Sequence, residues 1–389
     1  MIHQTVFCCA VLALFILPGM GAGAEISAES AEVESSNNPT SPDKAWPLMR
    51  GDAQATGAAN TTLPEKLELL WRFSTDKGGF ESSAAIVGGI VYVGCLDGIL
   101  YAVDLASGKK RWQYKTESAF RASPGVCQGR VLIGDVDGRF HCIDAASGRL
   151  EWNFDTDGEI DSSPNFFDDH VLFGSQDAKL YCLDVATGKL AWQFQSADQI
   201  RCFCTVFDNL CFVAGCDGQL HAIDLHTGKG ISAVDIGSPT GSAPAILDGK
   251  IFVGTEGDDF LAVDLKQSKI LWRYRAKTHP AAFRSSAAVT KDAVIVGSRD
   301  KLLHALDPKT GRLLWTFTTK GRVDSSPVVV DRSVFVGSAD GRLYRVDIQT
   351  GKSLWEYEAG GSILASPAVA AGRLVIGTDQ GDLLCFGAK

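Results

Sequence analysis

Tryptophan recurs in this chain at positions 71, 112, 152, 192, 272, 315 and 355, at spacings of 41, 40, 40, 80, 43 and 40 residues. Ser232 stands at the midpoint of the long gap, so the period runs on through it. Self-similarity at this spacing belongs to stacked or circular arrays, in which each unit buries its apolar face only against the next copy. The 389 residues therefore read as one array rather than as two or three unrelated domains.

One copy, Gly174 to Trp192 (GSQDAKLYCLDVATGKLAW), shows how the unit is built. A tight turn at Asp177-Ala178 leads into alternating Leu180, Cys182 and Asp184, and a second turn ending at Gly188 delivers Lys189 and Trp192. Aligning the copies adds a first strand led by Ser-Ser-Pro and a second ending at Gly94, Gly134, Gly174, Ala214, Gly254, Gly297, Gly337 or Gly377, which makes eight copies. Period-two alternation between regular turn signals predicts four short antiparallel strands per copy. Asp97-Gly98, Asp137-Gly138, Asp217-Gly218 and Asp340-Gly341 are hairpin signals, because such turns need positive φ. Asp104, Asp144, Asp184, Asp224, Asp264, Asp307 and Asp347 precede the second turn, where a carboxylate accepts local backbone N–H groups. Trp71 sits in a fourth strand with no three strands before it, whereas Ile363 to Phe386 supplies three strands with no fourth. Joining the two ends leaves no orphan strand and no open edge. The expected fold is an all-β, eight-bladed propeller over residues 46–389, with Trp71, Trp112, Trp152, Trp192, Trp272, Trp315 and Trp355 wedged between blades.

Residues 1–24 read as a secretory signal peptide, with an apolar run from Val11 to Met20 and a small-residue site at Ala22-Gly23-Ala24. The run is too short for a membrane span and carries Pro18. Residues 25–45 are Ser-, Glu- and Pro-rich and read as a disordered acidic spacer. A net charge of −9 with scattered Lys and Arg argues against nucleic acid as a partner. Cys142, Cys182 and Cys385 share one repeat position with Ala102, Ala222, Ala262 and Ala305, a small buried site where a free thiol fits. Equivalent sites on neighbouring sheets lie beyond bridging distance, so no disulfides are expected.

The run from Cys182-Leu-Asp184 through Trp192, of the form A-x-D-x-x-T-G-K-x-x-W, resembles the tryptophan-docking motif of quinoprotein-like (PQQ-like) repeat propellers. Trp46–Lys389 as a whole resembles the BamB-type propellers, accessory factors of outer-membrane β-barrel assembly, and Trp46-Pro-Leu-Met-Arg50-Gly51-Asp52 is similar to their lead-in. BamB-type proteins typically carry a lipobox cysteine after the signal's apolar run, but here Cys8 and Cys9 precede it, so no lipid anchor is expected. The resemblance also includes quinoprotein alcohol dehydrogenases, which hold PQQ and Ca²⁺ in the central funnel beside an adjacent cysteine pair. In this chain Cys202-Phe203-Cys204 is the nearest approach to such a pair after the leader, and the loops are short. No metal or cofactor is expected. Asp135-Val-Asp137-Gly138 and Asp155-Thr-Asp157-Gly158-Glu159 lack the glycine and acid of a calcium loop. His141, His221 and His304 occupy a register held elsewhere by Tyr, and read as packing residues.

Antiparallel order places the Asp-Gly turns and the inter-blade loops on one rim. The pattern breaks there at Cys202-Phe203-Cys204, at Gly257-Asp258-Asp259, and in a three-residue insertion around Ala276-Lys-Thr-His279-Pro280. The residue ahead of Ser-Ser-Pro reads Glu81, Arg121, Asp161, Arg201, Gly241, Arg284, Asp324 and Leu364 around the ring, at the channel mouth. Two readings stand: a ring of inter-blade ion pairs, or a ligand or peptide site centred on Arg121, Arg201 and Arg284. The expected role is a non-enzymatic, exported protein-binding or assembly scaffold in the periplasm or cell envelope, with a protein partner on the rim carrying the charged ring, Asp258, Asp259 and His279. A PQQ-dependent oxidoreductase and a ligand-sensing propeller are the rivals.

Overall fold

The computed structural model describes residues 45–277 and 279–389; the leader and, but for Ala45, the acidic spacer lie outside the described residues. The described chain forms eight four-stranded antiparallel sheets arranged as the blades of a propeller ring. Blade one comprises Ala85–Val87, Ile90–Gly94, Ile99–Asp104 and Lys110–Lys115, and the next six follow the same order. Blade eight takes Ala368–Ala370, Arg373–Gly377 and Asp382–Gly387 from one end of the chain and Glu68–Ser74 from the other. Trp71 pairs with Cys385 in that closing ladder. First strands of neighbouring blades contact one another around the centre, including Ala85–Val87 against Ala368–Ala370 where the ring closes. No helix among the described residues is long and apolar enough to cross a membrane.

Turn chemistry follows the repeat. All eight hairpin positions between second and third strands have positive φ, including the non-glycines Ala178, Asp258 and Lys301 at 68°, 68° and 72°. The Asp-led turns close as expected: Asp184 accepts the Thr187 N–H at 2.8 Å, and this bond together with that from the Thr187 hydroxyl holds its carboxyl below the usual range. The first serine of Ser-Ser-Pro ends the neighbouring second strand. Ser285 and Ser325 hydroxyls accept the N–H groups of Gly297 and Gly337 at 2.7 and 3.1 Å.

Each docked indole bridges two blades. Trp71, Trp112, Trp152, Trp192, Trp272 and Trp315 donate their ring N–H to carbonyls of Leu105, Ala145, Val185, Leu225, Pro308 and Ile348, at 2.7–3.3 Å. The ring lies on the next blade's turn glycine so closely that a Cβ on Gly188 would stand 2.6 Å from Trp152. That glycine therefore serves the docking as well as its own positive φ of 68°. The one blade without the tryptophan makes the same point. Ser232 stands in its place, the facing turn carries Ser268 instead of glycine, and the two hydroxyls meet at 2.9 Å.

Trp355 differs from the other six because blade eight has no chain connection between its third and fourth strands. It packs edge-on against Phe386 instead, with ring centroids 5.6 Å apart. Its ladder partner is Arg345 where other blades use Ala or Cys. Arg345 donates to the carbonyls of Pro64 and Glu65, the segment that brings the chain to the closing strand. The nine cysteines among the described residues are all free, seven of them buried.

Candidate functional site

The centre of the ring is a short funnel of 150 Å³, and all eight positions of the charged register line it. Below that mouth lies a second tier formed by the other serine of the Ser-Ser-Pro motif. Its hydroxyls accept N–H groups from the neighbouring blade: Ser83 to Ser123, Ser123 to Ser163, Ser286 to Ser326 and Ser326 to Ser366 at 2.9 Å, then Ser366 to Ser83 at 2.8 Å. These bonds tie adjacent blades and hold the backbone donors that would otherwise face the channel. The relay breaks at blades four and five, where Phe203 and Ala243 replace serine, and resumes with the Ala243 N–H donating to Ser286 at 2.9 Å.

Phe203 marks the seat of a strap. Residues 46–59 cross the inner end of the funnel and serve the first strands in turn. The carbonyls of Pro47, Ala53, Gln54, Thr56 and Gly57 accept the N–H groups of Val126, Val206, Ile246, Val289 and Val329 at 2.8–2.9 Å. Trp46 forms an antiparallel bridge with Ile86, and Asn165 reaches Ala53 with its side-chain amide at 2.9 Å. Leu48 and Ala55 pack with Phe203 and Ala243 in one apolar cluster, and Met49 forms part of the funnel's floor. The break at Cys202-Phe203-Cys204 thus accommodates the chain's own lead-in.

Arg50 fixes the strap. It is fully buried, and its Nη2 donates to Ala287 O at 3.0 Å and Pro327 O at 2.7 Å. Burial lowers its pKa to about 10, opposed by the nearby Asp52 carboxylate. Gly57 is required beside it, since a Cβ there would lie 2.0 Å from Nη2. Arg50→Ala is expected to cost about 2–4 kcal/mol, because two buried carbonyls lose their donor and a cavity opens. Urea denaturation measures that loss, and limited proteolysis should show new cleavage within residues 46–59. Arg50→Lys should not restore stability, since both bonds come from Nη2 at the far end of the guanidinium, beyond the reach of the shorter and more strongly hydrated ammonium.

At the mouth, ion pairs do form between blades, but the ring residues do not pair with one another. Arg121 reaches Glu159 at 3.5 Å, Arg284 reaches Glu256 at 2.6 Å, and Asp324 takes Arg299 and Arg322, each at 2.9 Å. Asp161 is half-buried: its Oδ2 accepts from Gln176 at 2.8 Å, while its Oδ1 is buried without a partner. Burial raises its pKa, against the pull of Arg121. Arg201 contacts only the amide oxygens of Gln176 and Gln199, so its charge has no acidic partner among the described residues. Glu81 lines the same cavity.

The remaining rim residues lie apart from the funnel's lining. Asp258 and Asp259 pair with Arg275 at 2.9 and 3.0 Å, and Asp259 also binds Arg273. His279 is exposed on the inserted loop. His221 and His304 bond the turn aspartates Asp217 and Asp300 at 2.7 and 2.9 Å, as Tyr101 and Tyr344 bond Asp97 and Asp340. His141 takes Asp135 at 2.8 Å, a carboxylate where five other blades place Ser or Thr. Among the described residues no three His, Cys, Asp or Glu side chains converge as a metal would require. The strap and Arg50 are what sequence reasoning missed; their one signal is the Trp46–Asp52 lead-in.

The profile of the family described as outer membrane protein assembly factor BamB matches residues 63–126, 96–206, 198–297 and 283–389. BamB from Moraxella catarrhalis is similar in fold, with a TM-score of 0.71 at 19% identity over 83% of this chain and 100% of that one. Quinohemoprotein alcohol dehydrogenase from Comamonas testosteroni gives a TM-score of 0.78 at 16% identity, over 90% of this chain and 82% of that one. Quinohemoprotein alcohol dehydrogenase ADH IIB from Pseudomonas putida is 34% identical over 86 residues, which are 20% of this chain and 12% of that protein.

Proposed function

Because the chain belongs to the family of outer membrane protein assembly factor BamB, we propose that it is a non-enzymatic binding scaffold of the cell envelope, receiving a protein segment at the charged mouth of its funnel. The observation that carries this reading is the strap. It floors the funnel with Met49 and leaves 150 Å³, well under the roughly 300–1,000 Å³ of sites that enclose a small molecule. That small volume favours a surface contact over an enclosed quinone. The Cys202-Phe203-Cys204 thiols are buried in the blade-four core, so they form no adjacent pair beside the funnel. What stays accessible is the rim, with the unpaired Arg201 guanidinium and the half-exposed Arg121 and Arg284.

The alternative of a quinone-dependent oxidoreductase draws on the similarity to the dehydrogenases, which is confined to the shared fold and a short stretch of repeat. Affinity capture from envelope extracts, with the wild-type chain and with the Arg121→Ala, Arg201→Ala double variant, tests the proposal. Recovery of an outer-membrane assembly protein by the wild type, lost in the double variant at unchanged Tm, is the expected result. Bound-quinone absorbance with dye-linked alcohol oxidation after adding PQQ and Ca²⁺ would overturn it. Undiminished capture by a double variant of lowered Tm would reduce the mouth to a structural feature.

A further inference from the structure

Grooves run between blades: a broad one of 820 Å³ at the Asp144 turn of blade two carries both Arg111 and Asp144, and of three others one differs in size and charge. The groove between blades eight and one measures 370 Å³ and has Asp76 and Asp97 in its lining, beside Lys77 and Lys110. That between blades one and two measures 360 Å³ and includes Asp135, Asp137, Asp155 and Glu117. The groove between blades five and six measures 630 Å³, and its only charged lining groups are Arg273, Arg275, Lys277 and Arg312. Arg273 and Arg275 are paired from behind by Asp258 and Asp259, but Lys277 and Arg312 form no ion pair among the described residues, Asp307 being the acid nearby that feels Arg312. The apolar share of the wall comes from Leu302, Tyr274 and Leu313, the last 40% exposed. Leu302 occupies the register where blade two has Arg139. Ala276 and Lys277, where the irregular loop begins, belong to the lining, so that loop and the cationic groove adjoin.

On a protein of net charge −9, a groove with excess positive charge and an apolar floor is complementary to one kind of occupant. We propose that the groove between blades five and six docks an extended acidic peptide segment of a partner protein, its carboxylates on Lys277 and Arg312 and its apolar side chains on Leu302, Leu313 and Tyr274. This site is separate from the funnel mouth and does not depend on the role proposed there. The outer strand Lys269–Tyr274, with only Phe260–Asp264 beside it in the sheet, forms one wall.

Fluorescence anisotropy with a labelled eight-residue peptide of alternating Glu and Leu tests the assignment on the full chain. Binding that weakens with added salt is expected, together with a loss of about tenfold or more in the Lys277→Glu, Arg312→Glu variant. Lys110→Glu in the groove between blades eight and one is the matched control and should leave binding unchanged, as should Arg121→Ala, Arg201→Ala at the funnel. No binding, or equal binding by the charge-reversed variant at unchanged Tm, would overturn the proposal. So would binding seen only after residues 25–44 are removed, because the groove would then belong to the chain's own acidic segment.

Discussion

A chain ending at Gly381 should show no cooperative thermal transition, whereas one lacking only Ala388 and Lys389 should melt as the full chain does. The larger deletion removes Asp382–Gly387, which joins the strand carrying Trp71 to the rest of blade eight through six paired positions. It also strips Leu383, Leu384, Cys385 and Phe386 from the core, all fully buried. At about 1.5–3 kcal/mol for each large apolar side chain, that loss rivals the roughly 5–15 kcal/mol net stability of a typical domain. The damage spreads because the ring has no other closure: without the third strand, Glu68–Ser74 loses its only ladder and blades one and seven each lose a packed neighbour. Near-UV circular dichroism during heating is the measurement. A sharp transition within a few degrees of the full chain would show that closure contributes little.

The second large effect concerns the indole and glycine pairs. Trp152→Ala is expected to cost about 3–5 kcal/mol, through the emptied volume and the unpaired Val185 carbonyl. Gly188→Ser should be nearly as harmful while Trp152 is present, because the new Cβ would press into the ring at 2.6 Å on a backbone already at φ 68°. Combined as Trp152→Ser and Gly188→Ser, the two should be far from additive, since the pair then reproduces Ser232 and Ser268. The reverse experiment installs the missing dock in blade four. Ser232→Trp alone should destabilise, and Ser232→Trp with Ser268→Gly should recover the loss and add up to about 2 kcal/mol. Denaturant midpoints for the four corners of each cycle measure the coupling; additive effects would mean the ring and the turn do not interact as described.

The exchange of tryptophan for serine is visible along the chain at Ser232, but nothing in the sequence ties it to Ser268. The two are 36 residues apart and belong to different blades, so only the packing shows that they respond to each other. The funnel mouth divides in the same way. Gathering Glu81, Arg121, Asp161, Arg201, Arg284 and Asp324 at one opening follows from the repeat, because equivalent positions in a ring must share a tier. The acids that the arginines contact do not follow from it, since side-chain reach depends on loop height. Asp161 and Arg201 are neighbours in register, yet Gln176 stands between them.

Strand number, turn type, the Trp71–Cys385 closure and the free state of the cysteines were determined by the sequence itself, because each depends on a local rule: alternation and a positive φ at a turn in all eight blades, and a small residue opposite an indole in six. The closed floor of the funnel was decided only in three dimensions. Residues 46–59 have no alternation and no repeat, and they hold the inner strands through backbone carbonyls that any residue could supply. Long-range bonds of that kind leave no mark on composition. Arg50, 237 residues before Ala287, and Asn165 and Phe203 on the facing blades carry the side-chain trace of where the strap lies.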